Sequence, residues 1–235
     1  MTSPAPPDAV SLAQVSLTLP SRAGDVEILR GVDLRVRPGE AVGIVGPSGS
    51  GKTSLLMVIA GLEQVTGGTV TVAGTPLAGL GEDRLAVFRR DTIGIVFQSF
   101  HLIPTMTALE NVAIPLEFKG TPGAMAIARN RLERVGLAHR LTHYPGQLSG
   151  GEQQRVAIAR ALASGARVLL ADEPTGNLDH VTGEEIIRLL FDMRESEGAA
   201  LLLVTHDPEL ARRCDRVAEV SDGRIVAGAL PAVTP

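Results

Sequence analysis

Residues 46–54 read GPSGSGKTS and satisfy G-x-x-x-x-G-K-[ST] in full. That pattern carries meaning only between a strand and a helix, and both flanks are present: 40–45 is a compact apolar run ending at a glycine, and 54–60 has a helical composition. Gly46, Gly49 and Gly51 let the backbone curl so that successive N–H groups point inward, an anion nest at a helix N-terminus. Pro47, Ser48, Ser50 and Ser54 complete the cradle. Lys52 adds a charge able to reach β- and γ-phosphates, and the Thr53 hydroxyl is placed to ligate Mg²⁺. The loop implies a bound nucleotide. It does not choose among kinases, GTPases, helicases and transport ATPases.

Composition bounds the rest. The 235 residues carry a formal charge of −4, with 44% hydrophobic and 20% charged side chains, which fits one large domain or a domain with a subdomain and excludes wholesale disorder. A mildly acidic balance argues against a nucleic-acid footprint. The single cysteine, Cys214, rules out an internal disulfide and a multi-cysteine metal site. No apolar run approaches the roughly 18–20 residues of a membrane span, and the first ten residues lack the charge and apolar stretch of a secretory signal. Residues 1–9 are expected to form a flexible tail.

Short β-rich runs at 15–19, 26–36, 40–45, 69–73, 92–97, 167–171, 200–205, 216–220 and 224–226 alternate with helical patterns. This is the signature of an α/β domain with a mostly parallel sheet, and Asp222-Gly223 marks a closing hairpin. Between about 107 and 162 no period-two pattern occurs; Thr107 and Glu110 have capping-box spacing, and 124–135 reads as a helix before Gly136. The expected organisation is one domain over 10–235, with a core of 10–97 and 156–226 and an inserted helical subdomain at about 98–155.

Two further patterns carry chemistry. The apolar run 168–171 ends in Asp172-Glu173-Pro174. A carboxylate at such a strand tip can hold Mg²⁺ through water, and Glu173, one residue on, can face an attacking water. Alone, such a pair would more often cap the following loop; beside a phosphate loop the catalytic reading prevails. Residues 148–155 read LSGGEQQR, in which Ser149, Gly150, Gly151 and Glu152 form an N-cap, bare backbone and a capping-box acid before a helix. This is a second anion site without a lysine, weak alone and useful if it closes over a phosphate held elsewhere.

GPSGSGKT, Gln98, LSGGEQQR, LLADEP, Asn177-Leu178-Asp179 and His206 together resemble the nucleotide-binding subunit of ATP-binding cassette (ABC) transporters, in the family's order and over nearly the whole chain. The resemblance implies a P-loop NTPase: a RecA-like core with a parallel sheet, an antiparallel N-terminal β-subdomain and a helical insertion carrying the signature. It also implies a head-to-tail homodimer with two Mg-ATP, each between residues 46–53 of one subunit and 149–151 of the other. Gln98 would touch Mg²⁺ and the attacking water and Asp172 would hold the ion. Glu173 would act as base, Asp179 would lie near the dimer interface, and His206 would hold the γ-phosphate. His101, His139, His143 and His180 match no such role and read as surface residues.

The stretches FQSFHLIPTMTALENVAIPL, ADEPTGNLD and VTHDPELARRCDR resemble the branch containing LolD, MacB and FtsE proteins, nearest the YbbA type. That implies a partner permease with a periplasmic domain, docking near residues 98–104 from the cytoplasmic face of the inner membrane. Phe100, Leu102 and Ile103 supply apolar surface there, or pack the helical subdomain. One departure stands out: Leu19 occupies the place where most members stack an aromatic side chain on adenine. A non-transport ABC-type ATPase and a P-loop small-molecule kinase are the alternatives; the kinase leaves LSGGEQQR and His206 without a role.

Overall fold

The computed structural model describes residues 7–21 and 24–226. In chain order the elements are β1 (Val10–Ser21), β2 (Gly24–Val36), β3 (Ala41–Val45), α1 (Lys52–Ile59), β4 (Gly67–Val72), β5 (Thr75–Pro76), α2 (Glu82–Thr92), β6 (Ile93–Phe97) and α3 (Ala108–Phe118). They continue with α4 (Ala124–Arg134), α5 (Gly150–Ala163), β7 (Val168–Asp172), α6 (His180–Glu197), β8 (Ala200–Val204), α7 (Pro208–Ala211), β9 (Arg216–Ser221) and β10 (Arg224–Val226). The chain divides into two compact units: the part up to residue 86 together with the part from 199 onward, and residues 87–198. Residues 1–6 of the expected tail lie outside the described residues; Ala9, at its end, is buried and donates to the Val36 carbonyl at 2.7 Å.

The first unit holds an antiparallel sheet in the order β2-β1-β4-β5. In β2, Val32, Leu34 and Val36 are buried while Asp33 and Arg35 face out, a period-two strand with one wet face. β1 is longer than the 15–19 run expected of it. Its buried positions are 10, 12, 15 and 17, because a bulge at Gln14 (φ 50) shifts the phase; Asp33 Oδ1 accepts the Gln14 N–H at 2.9 Å. The same unit pairs β3 in parallel with β8 on one side and β9 on the other. Every residue of β8 is buried, as expected of a parallel strand covered on both faces. β9 and β10 form the closing hairpin, with Asp222 (φ 48) and Gly223 (φ 72) in the two left-handed positions of a type I′ turn.

The second unit pairs β6 in parallel with β7. No strand occurs between them, and α3, α4 and α5 pack around Val112, Leu116, Leu132, Ile158 and Leu162. α3 carries the expected capping box: Thr107 Oγ1 accepts from Glu110 N–H at 3.3 Å, and the Glu110 carboxylate accepts from Thr107 N–H at 2.7 Å. At the far end of α6, Glu197 pairs with Arg131 and, at 2.9 Å, with Arg134, binding α6 to α4. Among the described residues no helix is long and apolar enough to cross a membrane.

Candidate nucleotide-handling site

In the first unit, β3 feeds the glycine-rich loop and α1 begins at Lys52, with Gly51 (φ 103) as its N-cap. Gly46 has φ 149, and a Cβ there would lie 2.0 Å from the Val220 carbonyl oxygen, so the hairpin-side main chain fills the space a side chain would need. Pro47, Ser48, Gly49 and Thr53 are exposed, Ser54 is half-buried, and Ser50 is buried with its hydroxyl unpartnered. Lys52 Nζ folds back over the loop and donates to the Gly46 carbonyl at 2.9 Å and the Pro47 carbonyl at 2.8 Å. The ammonium therefore sits over the cradle of main-chain amides, a ready counter-charge for phosphate. His206 is exposed just beyond β8, where Asp207 caps α7 by accepting from Glu209 N–H at 2.8 Å. Leu19 is half-buried and registers opposite Val26.

In the second unit, β7 ends at Asp172, and both Asp172 and Glu173 are half-buried. Glu173 has φ 47, a left-handed conformation uncommon outside glycine, and its carbonyl accepts the Gly176 N–H at 3.0 Å. Gln98, at the end of β6, donates through Nε2 to Asn177 Oδ1 at 3.1 Å, and Asn177 Nδ2 donates to the Gln98 carbonyl at 3.0 Å. A Cβ at Gly176 would lie 2.6 Å from Gln98 Nε2, so this glycine leaves room for the glutamine side chain.

The signature forms the expected capping box. Ser149 Oγ accepts from Glu152 N–H at 3.2 Å, and the Glu152 carboxylate accepts from Ser149 N–H at 2.8 Å. Ser149 is exposed, Gly150 and Glu152 are half-buried, and Gly151 is buried. A Cβ at Gly151 would lie 2.5 Å from Thr182 Cγ2, and one at Gly150 3.1 Å from Leu178 Cδ2. The Ser149 N–H, helped by the Arg140 guanidinium at 2.7 Å, holds the Glu152 carboxyl below its usual range. Asp179 N-caps α6, and hydrogen bonds from Thr182 lower its carboxyl as well.

Several contacts were not anticipated. Gln154, fully buried, donates through Nε2 to the Pro174 carbonyl at 2.7 Å and the Phe97 carbonyl at 3.4 Å. Arg160 donates to the carbonyls of Phe100 and His101. None of these four bonds has a side-chain acceptor that a sequence pattern could flag. Phe100, Leu102 and Ile103 are half-buried, so the loop surface is partly consumed by its own unit. His101, His139 and His180 are exposed as expected; His143 is not. It is half-buried, with Nε2 3.2 Å from Arg140 Nη1 and Nδ1 buried, because its side chain packs beside the Arg140–Glu152 pair.

Comparison with known proteins supplies the family. The profile of the ABC transporter family matches residues 29–176. The lipoprotein-releasing system ATP-binding protein LolD 1 of Rhodospirillum rubrum is 46% identical over 224 residues, covering 94% of this chain and 99% of that protein. The ABC transporter ATP-binding protein YbbA of Escherichia coli is 49% identical over 203 residues, covering 86% and 89% respectively. Among solved structures, a dimeric post-hydrolysis state of the ATP-binding cassette MJ0796 bound to ADP and Pi superposes with a TM-score of 0.87 at 40% identity, covering 96% of this chain and 100% of that one. The chain belongs to the ABC transporter family. It is an ATP-binding cassette of the ATP-hydrolysing kind, with the α/β fold of a P-loop NTPase, and the kinase alternative falls away.

Proposed function

We propose that two copies of this chain pair head to tail around two Mg-ATP, each triphosphate held by residues 46–53 of one copy and by Ser149, Gly150 and Gly151 of the other. The closed pair drives a separate inner-membrane permease of the lipoprotein-release or macrolide-export type, docked near residues 98–104 on the cytoplasmic face. One observation carries the reading. Among the described residues stand two anion-ready helix starts, one with a lysine folded over it and one with an exposed serine cap and no lysine, its nearby Arg140 being spent on Glu152. A lysine-free cradle binds phosphate weakly by itself and contributes best as the second half of a shared site.

Hydrolysis follows from in-line attack of water on the γ-phosphate. Glu173 accepts the proton of that water, and Gln98 and His206 orient it. Lys52 and the loop amides hold the charge that gathers on the phosphoryl oxygens. Thr53, Gln98 and Asp172 offer hydroxyl, amide and carboxylate oxygens. No cluster of three or more His, Cys, Asp or Glu side chains that could cage a metal occurs among the described residues. Such a sparse oxygen set suits Mg²⁺, which keeps its waters and leans on substrate phosphates. Bound there, the ion would neutralise charge on the β- and γ-oxygens. Leu19 would pack against the purine.

The test is the oligomeric state of Glu173→Gln with saturating Mg-ATP, measured by light scattering. A dimer that falls apart when ATP is removed supports the reading. Persistent monomers with bound ATP overturn it.

A further inference from the structure

Phe100 (φ 59) and His101 (φ 47) place two consecutive non-glycine residues in left-handed backbone. Such a turn persists only where its surroundings over-determine it. Beside the Phe100 N–H to Phe97 carbonyl bond at 3.3 Å and the edge-on Phe97–His101 ring contact at 4.8 Å, one guanidinium grips the turn: Arg160 Nη1 donates to the His101 carbonyl at 2.6 Å and Nη2 to the Phe100 carbonyl at 2.9 Å. Arg160 is half-buried and, among the described residues, pairs with no carboxylate. Burial alone moves its pKa, downward. Leaving a desolvated cation on two main-chain carbonyls is a costly way to hold an ordinary surface loop.

The same segment meets α5 at two other points. Gln154 donates to the Phe97 carbonyl at 3.4 Å, and Gly150 lies beneath Phe100, whose Cζ would be 3.8 Å from a Cβ added there. α5 is thus in contact with residues 97–101 at its first turn, its middle and its last turn. At 14 residues it is a rigid rod of about 20 Å.

We propose that Arg160 is a positioning residue: it locks the turn at residues 100–101 onto α5, so that ATP engaged at Ser149 sets the shape of the 98–104 loop. The second half rests on the dimer reading above; the lock on the turn does not.

Hydrogen exchange on the full chain carrying Glu173→Gln separates the two. Without nucleotide, Arg160→Met should speed exchange of the 99–104 amides at least about tenfold while α4 keeps the parent rate. Arg160→Lys, with charge but no fork, should fall between. Unchanged exchange in Arg160→Met, or a uniform rise across the second unit, overturns the lock. If Arg160→Met does not fold, Arg160→Lys decides: parent exchange rates at 99–104 overturn the lock, and a selective rise supports it. With Mg-ATP, the parent should gain protection at 99–104 and Arg160→Met should not, although both dimerise. Equal gains overturn the transmission. A parent that stays monomeric removes the dimer reading and the transmission with it, leaving the lock judged by the nucleotide-free arm.

Discussion

Gln98 and Asn177 hold each other by two reciprocal hydrogen bonds, side chain to side chain at 3.1 Å and side chain to main chain at 3.0 Å, although both residues are exposed. The pair fixes the rotamer of the glutamine proposed to orient the attacking water. Asn177→Ala removes both bonds and leaves Gln98 to solvent. With each such bond contributing about 0.5–1.5 kcal/mol, about 1–3 kcal/mol for the two, kcat should fall roughly 5- to 150-fold with KM for ATP nearly unchanged. A matching rise in KM in steady-state assays would move Asn177 into nucleotide binding.

Glu173→Gln keeps the size and the hydrogen-bonding oxygen of the side chain and removes its basicity. Loss of general base catalysis costs about 10²–10⁴ in rate. ATP binding, followed by equilibrium dialysis or calorimetry, should stay at the parent level. Hydrolysis at the parent rate would exclude Glu173 as the base.

Gly46 and Gly49 share a loop and differ in what surrounds them. A Cβ at Gly46 would strike the Val220 carbonyl oxygen at 2.0 Å, whereas Gly49 (φ 77) has nothing within 4 Å. Gly49→Ala therefore carries only the left-handed backbone cost, about 1–2 kcal/mol. Gly46→Ala must also displace main chain and should lose about 3 kcal/mol or more together with ATP binding. Urea unfolding of the two variants tests the ranking, which would be wrong if both lost the same stability.

The Arg131 guanidinium, followed by Arg134, holds the Glu197 carboxyl below the usual value of 4.5. A lowered folded-state pKa means that this stabilisation is complete above the unfolded value and is lost as pH falls through the folded one. With side chains only 17% and 14% exposed for Glu197 and Arg131, Glu197→Gln should cost about 1–3 kcal/mol at pH 7. Measured across pH, the gap between parent and variant should start to narrow as pH falls below 4.5 and close once pH is below the lowered folded value. A gap constant down to pH 3 would show that the carboxylate charge contributes nothing.

At the base position proposed for it, Leu19 would forgo the stacking of an aromatic side chain, a contribution of about 1–3 kcal/mol. ATP and GTP should be hydrolysed with kcat/KM values within tenfold of each other. Leu19→Tyr should tighten nucleotide binding about five-fold or more. A purine preference above tenfold in the parent chain would remove Leu19 from the base site.

What was legible in the sequence depended on range. The phosphate loop, the capping boxes at Thr107 and Ser149 and the Asp222-Gly223 turn are each decided within a few residues, so pattern and structure coincide. The first strand came out short because the bulge at Gln14 breaks the alternation that marks a strand, and a two-residue strand at Thr75–Pro76 is too brief to carry a period. Arg160 and Gln154 were opaque for another reason. Their partners are main-chain carbonyls up to 60 residues away, and a carbonyl has no letter in the sequence. His143 misled because Arg140, reaching across to Glu152, lies against its ring, which helix-free residues 136–144 do not announce.

The left-handed bend at Glu173 ties the direction of the proposed proton acceptor to the course of the main chain through Pro174 and Gly176. Substitutions at those neighbours that let the bend relax would re-aim the carboxylate without altering a single atom of it. A β-branched replacement at 173 itself would oppose the bend, whereas asparagine or glycine would accept it. Inheritance of activity here runs through the skeleton of the loop as much as through the identity of the acid.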